Sequence, residues 1–266
     1  MASTHSARHP EDNERITLGT PPFQTESIIL FENRSLLALD KPAGWNLNPT
    51  RSPRTGRNLQ VALEQTLLQR PPWVRRRNLR FLRFIHRLDT DTTGILLLVK
   101  SRGAIAPFSR LLQDRLVEKT YLAAVQGEPP AASWTCDRPL ARDLAHPGRM
   151  RLARTHGLSA LTRFTRVQPP RPPLPALVTA VPVTGRTHQI RLHLAAAGCP
   201  VLGDRFYGSR TASLPSSSNT YPLALRAVTV SLMDPFEHRP VHIQAPAEAF
   251  LRAFGWDPDA WHRSIL

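Results

Sequence analysis

An uninterrupted apolar run, Ile95 to Val99, is opened by Gly94 and closed by Lys100. It has strand length and no polar position for a wet face, so it predicts a buried strand around which the chain must build a sheet. Further strand-length segments are Ser27 to Phe31 and Leu36 to Asp40, separated by a Glu-Asn-Arg turn, then Val117 to Val125, Leu161 to Val167, Ala176 to Val183, Leu223 to Leu232 and Val241 to Gln244. Between them the period changes. Leu59, Leu63 and Leu67 predict a helix from Leu59 to Gln69, ended by Pro71-Pro72. Ser101 is placed to cap a second helix reaching Gln113, and Ile190, Leu194 and Ala197 mark a third that Gly198 terminates. A short amphipathic helix is expected from Ala247 to Phe254. Strands and helices without regular β-α-β alternation predict an α+β fold on a mixed sheet.

The remaining stretches read as connections. Residues 129–157, rich in Pro, Arg and His, are expected to form hairpins and loops; the proline-rich PPRPPLP reads as a surface loop between strands, and Thr211 to Thr220 as a Ser-rich loop. Residues 1–22 read as a disordered or extended leader. Glu11, Asp12 and Glu14 stand where a secretory signal would need an apolar stretch. The rest, 23–266, is expected to be one catalytic domain, near the length at which a chain begins to divide into two lobes. No run approaches the roughly 20 apolar residues needed to cross a bilayer. A cytoplasmic monomer is the plain expectation.

Charge narrows the partner. The 35 basic residues against 20 acidic ones give a net charge of +15, which concentrates polyanions around the protein and makes nucleic acid the leading partner class. Lysine occurs only at Lys41, Lys100 and Lys119; the rest is arginine, suited to phosphate contacts and to stacking on bases. Seven arginines and no acidic residue lie between Arg70 and Arg87, interleaved with Trp73, Phe81 and Phe84. A basic run is often only a solvated face, but this one adjoins the chain's most informative motif and is read as RNA-facing. Cys136 and Cys199 lack zinc or redox spacing, and His188 and His193 are five residues apart, on different helix faces. No metal and no other cofactor is expected.

The motif is FIHRLDTDTTGILLLVK, Phe84 to Lys100: a charged His-Arg-x-Asp loop set against the buried strand. Such a loop holds a carboxylate at the edge of a rigid sheet. A kinase reading fails, because Leu88 intervenes between Arg87 and Asp89 and the chain has neither a Gly-rich phosphate loop nor Asp-Phe-Gly.

Together with LALDKPAGWNLNPT (Leu37 to Thr50), VEKTYLAAVQGE (Val117 to Glu128) and PVTGRTHQIRLHLAAAGCPVLGDRFYG (Pro182 to Gly208), this segment resembles the RluA family of RNA pseudouridine synthases. The resemblance spans four motifs in the family's order. It implies a largely antiparallel mixed sheet flanked by helices and loops, with a basic RNA-binding cleft. It also implies Asp89 as catalytic aspartate, Tyr121 as active-site tyrosine, Arg191 as the arginine paired with that aspartate, and Arg87 as the residue that enters the RNA stack when the target base leaves. Arg80, Arg83 and His86 from the basic segment, and Arg186, His188 and Gln189 from the last motif, complete the expected RNA-binding set. Ile190 and Leu192 are expected to help exclude water. The reaction would break the bond from ribose C1′ to uracil N1 and rejoin the base through C5. Without the resemblance, a strand tyrosine would be read as packing and Arg191 as one exposed arginine among many.

Three features depart from the family or stand apart. Thr92-Thr93-Gly94 replaces the usual Thr-Ser-Gly, and Arg226 stands where the family often has His. The leader is too short for the separate RNA-binding domain that many relatives carry, so target choice is expected to rest on the catalytic domain. Lys41-Pro42-Ala43-Gly44 reads as a structural turn, and Asp204 and Arg205 as residues able to pair within the fold. Two other classes share part of this pattern: an inactive RNA-binding or ribosome-assembly factor on the same fold, and a nucleoside hydrolase, which would normally need a second acid or a metal.

Overall fold

The structure, a computed structural model, describes residues 14–47, 57–171, 174–208 and 221–259. Its contacts divide the chain into two units: Met1–Val117 with Val230–Ala245, and Glu118–Thr229 with Pro246–Leu266. The chain passes from one unit to the other three times, after Val117, Thr229 and Ala245.

In the first unit, strands β1 (Arg15–Thr20), β2 (Phe23–Glu32), β3 (Leu36–Lys41) and β5 (Thr93–Val99) lie side by side in that order. The pairings are antiparallel, and the short β4 (Arg83–Phe84) pairs with the end of β5. Every residue of β5 is buried, as the unbroken apolar run requires. Helix α1 (Leu59–Gln69) has the predicted bounds because Asn58 caps it, accepting from Gln60 N at 3.0 Å and Val61 N at 3.2 Å.

Helix α2 (Pro72–Arg76) follows directly, with Pro72 opening it rather than only closing the helix before. A 3-10 turn over Arg102–Ala104 leads into α3 (Ile105–Gln113).

Within the stretch read as a disordered or extended leader, Arg15–Thr20 form β1. Ile16 and Leu18 alternate with exposed positions, so β1 buries one face, and Gly19 N donates to Thr66 Oγ1 of α1 at 2.8 Å. Two apolar residues in a polar context were too short a pattern to stand out. Residues 1–13 and the Ser-rich loop lie outside the described residues.

The second unit holds β6 (Glu118–Val125), β11 (Ala176–Pro182), β10 (Thr162–Gln168) and β7 (Ser133–Cys136) in that spatial order, all antiparallel. The hairpin β8 (Leu140–Arg142) and β9 (Met150–Leu152) stands apart from them. Strand β12 (Leu225–Met233) passes from the second unit into the first, where β13 (Pro240–Gln244) pairs with it. Helix α5 (Glu248–Ala253) buries Phe250 and Leu251. Arg226 is buried and donates from Nη2 to the Pro246 carbonyl at 2.8 Å, so this departure serves packing.

Helix α4 (Gln189–Ala196) differs from a surface helix. Residues Gln189 to Leu194 are all buried, including Gln189, Arg191 and His193. Burying three polar side chains on one helix demands a partner for each. Gly198 ends the segment at φ +79°, a left-handed turn open to glycine.

Candidate active site

In the first unit, the loop between β4 and β5 carries Asp89 on a turn closed by Thr92 N donating to Asp89 O at 3.2 Å. Leu88 is buried beneath it, Asp89 is half-buried, and Arg87 is exposed. Three residues, Lys41, Gly44 and His86, fix this turn. Gly44 N donates to Thr90 O at 3.0 Å. Lys41 Nζ donates to Pro42 O at 3.0 Å, Thr90 O at 2.8 Å and Thr92 O at 3.0 Å. His86 Nε2 accepts from Leu97 N at 2.9 Å, which pins the loop to β5 and requires an unprotonated Nε2.

Lys41 is fully buried. Burial pulls its pKa down to about 7, with the charges of Asp91 and Asp89 opposing the drop. Three carbonyls surround Nζ, enough to engage every N–H of the ammonium form present below that value. The segment read only as a structural turn therefore supplies the scaffold of the Asp89 loop. One signal pointed to it: a lysine directly after an apolar strand, in a chain with almost no lysine.

The basic segment divides. Arg77 pairs with Glu14 at 2.7 Å and Glu32 at 2.6 Å, and Arg76 also pairs with Glu14. Trp73 is buried. Arg77 and Trp73 hold the fold, and the exposed arginines of this stretch are Arg75, Arg76, Arg80, Arg83 and Arg87. His86, expected among the RNA contacts, is committed on Nε2 to the β5 backbone.

In the second unit, Tyr121 lies buried in β6, paired in register with Ala180 of β11. Arg191 meets Asp204 through two hydrogen bonds, Nε to Oδ2 at 2.7 Å and Nη2 to Oδ1 at 2.8 Å. Asp204 also accepts from Phe206 N at 2.9 Å and Tyr207 N at 3.1 Å. Burial pushes the Asp204 carboxyl up, but the Arg191 hydrogen bonds and charge, with the two backbone N–H groups, outweigh it and hold the carboxyl low. The Asp204 partner is thus Arg191, thirteen residues back in α4, rather than neighbouring Arg205.

The loop before α4 is held equally firmly. Gln189 Oε1 accepts from Thr184 Oγ1 at 2.7 Å and Arg186 N at 3.0 Å; Nε2 donates to Leu161 O at 3.0 Å and Thr162 Oγ1 at 2.9 Å. Gln189 is only 3% exposed and both ends of its side chain are engaged within the fold, so this residue, expected among the RNA contacts, ties the loop to Leu161 and Thr162. His193 continues the chain: Nε2 lies 2.9 Å from the Arg138 carbonyl and so donates to it, leaving Nδ1 to accept from Thr162 Oγ1 at 3.0 Å.

His188 adopts φ +56° at the start of α4, with Nδ1 2.8 Å from Tyr207 Oη, which also accepts from Met150 N at 2.8 Å. Arg186 is half-buried, its Nε donating to Ser159 O at 3.0 Å. Leu192 packs with Leu140, Met150 and Ala160 in a core beneath the β8–β9 hairpin. It is thus a core residue, whereas the expectation made it a water seal.

Residues 35–196 match the RNA pseudouridylate synthase family. The chain is 31% identical over 231 residues to the uncharacterized RNA pseudouridine synthase YhcT of Bacillus subtilis, covering 87% of this chain and 72% of that protein. It is also 31% identical to the dual-specificity RNA pseudouridine synthase RluA of Vibrio vulnificus, covering 82% of each. Among solved structures, human RNA pseudouridylate synthase domain containing 1 superposes with a TM-score of 0.65 at 22% identity, over 89% of this chain and 93% of that one, a likeness of fold. The chain belongs to the RluA family of RNA pseudouridine synthases, isomerases that convert uridine in RNA to pseudouridine.

Proposed function

We propose that Asp89, Tyr121 and Arg191 carry out this isomerisation on specific uridines of ribosomal or transfer RNA. What supports Asp89 above all is the fixing of its turn by Lys41, Gly44 and the His86–Leu97 bond. A carboxylate held on a turn tied to a buried strand has the preorganisation that attack at a sugar carbon needs.

In the reaction the C1′–N1 bond breaks, the base turns, and C1′ bonds to C5; the C5 hydrogen leaves as a proton and N1 gains one. Asp89 either adds to C1′ or removes the 2′ proton on a glycal route, and both need the carboxylate form. Tyr121 offers the freed uracil a flat face and a hydroxyl for proton transfer from C5. Arg191 is held by Asp204 with its guanidinium in a fixed direction, as a residue that orients a carboxylate must be. Arg87, exposed beside Asp89, fills the gap left by the flipped nucleotide, whose unstacking costs a few kcal/mol. Arg80, Arg83, Arg186 and His188 complete the RNA-binding set.

Ribosomal and transfer RNA are the proposed substrates because relatives are named for the large ribosomal subunit and for dual specificity. The test is tritium release from 5-tritiated uridine in each RNA class, incubated with the purified protein. Release from either class supports the reading and identifies the class; release from neither, with RNA binding intact, refutes it.

A further inference from the structure

Lys119 lies in β6 two residues before Tyr121, so the two side chains leave the same face of the strand. It is half-buried. Among the described residues its ammonium has no hydrogen-bond or ion-pair partner, unlike Lys41 with its three carbonyls and Lys100, paired with Glu32 at 2.7 Å. Burial lowers its pKa, and no neighbouring acid opposes the drop. A partly desolvated cation without a counter-charge is unfavourable to the fold and marks a place reserved for an anion.

The loop before α4 passes beside this ammonium at an exposed glycine. Gly185 of the Thr-Gly-Arg-Thr-His loop faces Lys119, and a side-chain carbon built on Gly185 would sit 4.0 Å from Lys119 Nζ. Apart from its chain neighbours, nothing else lies within 4 Å of that position, so the Gly185 side of the ammonium is open. The loop is rigid on this side, since Thr184 and Arg186, on either side of Gly185, are both tied to Gln189.

We propose that Lys119 is a phosphate-binding residue that grips the RNA backbone next to the uridine facing Tyr121. The proposal rests on the reading of Tyr121 as part of the active site. A lysine suits the task as a compact point charge with three donors, able to take one phosphate oxygen on the open side beside Gly185. The phosphate supplies the counter-charge that the fold withholds, so the cation is matched only when RNA is bound.

The test is RNA affinity across a series of salt concentrations for the wild type, Lys119→Met and Lys119→Arg, using a bulk ribosomal or transfer RNA transcript. Circular dichroism melts confirm folding, with Lys119→Gln as a substitute should the Met variant fail. Loss of one phosphate contact lowers the magnitude of the slope of log affinity against log salt by about 1. The expected result is that decrease in the Met or Gln variant, an affinity loss on the order of tenfold at low salt, and recovery of both in Lys119→Arg. An unchanged slope with unchanged affinity overturns the proposal; so does an unchanged slope with lost turnover, which would assign Lys119 to the base. Because the slope is read without turnover, it is informative even if tritium release fails, so the two readings fail separately.

Discussion

Lys41 Nζ donates to the main-chain oxygen of Thr90 over 2.8 Å, joining the residue that ends β3 to the residue after Asp89. A fully buried amine has thus been placed where its N–H groups hold the loop that bears the proposed catalytic carboxylate.

Replacing Lys41 with Met keeps the stem and removes all three bonds, leaving loop carbonyls without their donor. Urea unfolding at pH 7 should show a loss of about 1–3 kcal/mol, and tritium release should fall more than tenfold as the Asp89 turn loosens. The pH dependence has a definite sign. The folded pKa of about 7 lies below the ordinary 10.5, so between those values the unfolded chain keeps a proton that the folded chain has released. The Lys41 contribution to stability therefore rises with pH through that window. The gap between wild type and Lys41→Met should widen from pH 7 to pH 9; a constant or narrowing gap would count against this.

Asp204→Asn removes the buried partner of Arg191 while keeping the shape. Breaking such a pair should cost about 3 kcal/mol or more and reduce turnover. The Asp204 carboxyl is held below its ordinary 3.8, so its contribution to wild-type stability is complete above that value and is lost as pH falls through the lower folded value. Acid unfolding curves of the two proteins should therefore converge at low pH. Curves that stay parallel would show that Asp204 is not linked in this way.

Gln189→Ala should destabilise the fold by about 1–3 kcal/mol by orphaning buried donors and acceptors, with the salt slope of RNA binding unchanged. A reduced slope with intact stability would restore Gln189 to the RNA contacts.

The hydroxyls of Thr92 and Thr93 are buried with no hydrogen-bond partner among the described residues. Thr93→Val keeps the branched shape in β5 and removes a desolvated hydroxyl, so its thermal midpoint should equal or exceed that of the wild type. A clear drop would reveal a bond that the hydroxyl makes.

Much of this was legible in the sequence. The apolar run of β5 and the spacing in α1 identified their elements because each follows a single period strongly. The strand β1, with only Ile16 and Leu18 to signal it, was lost in a polar leader. At the site, the His-Arg-Leu-Asp loop and the last motif were legible as motifs, but the task of each residue was not. Gln189, His86 and Leu192 are polar or apolar letters within a motif, and only the packing of α4 and β5 turns them inward. Nor could sequence spacing show that Asp204 would meet Arg191, because the turn between α4 and Asp204 sets that distance.

The central claim is that Asp89 performs the chemistry. Its most direct test is single-turnover tritium release by Asp89→Asn on the RNA class that the wild type prefers, with binding and melting temperature measured on the same preparation. The account predicts no detectable release, with RNA affinity and melting temperature close to wild type. Release at a rate within about tenfold of the wild type, a barrier change of only ~1.4 kcal/mol, would contradict it and move the reaction to another residue.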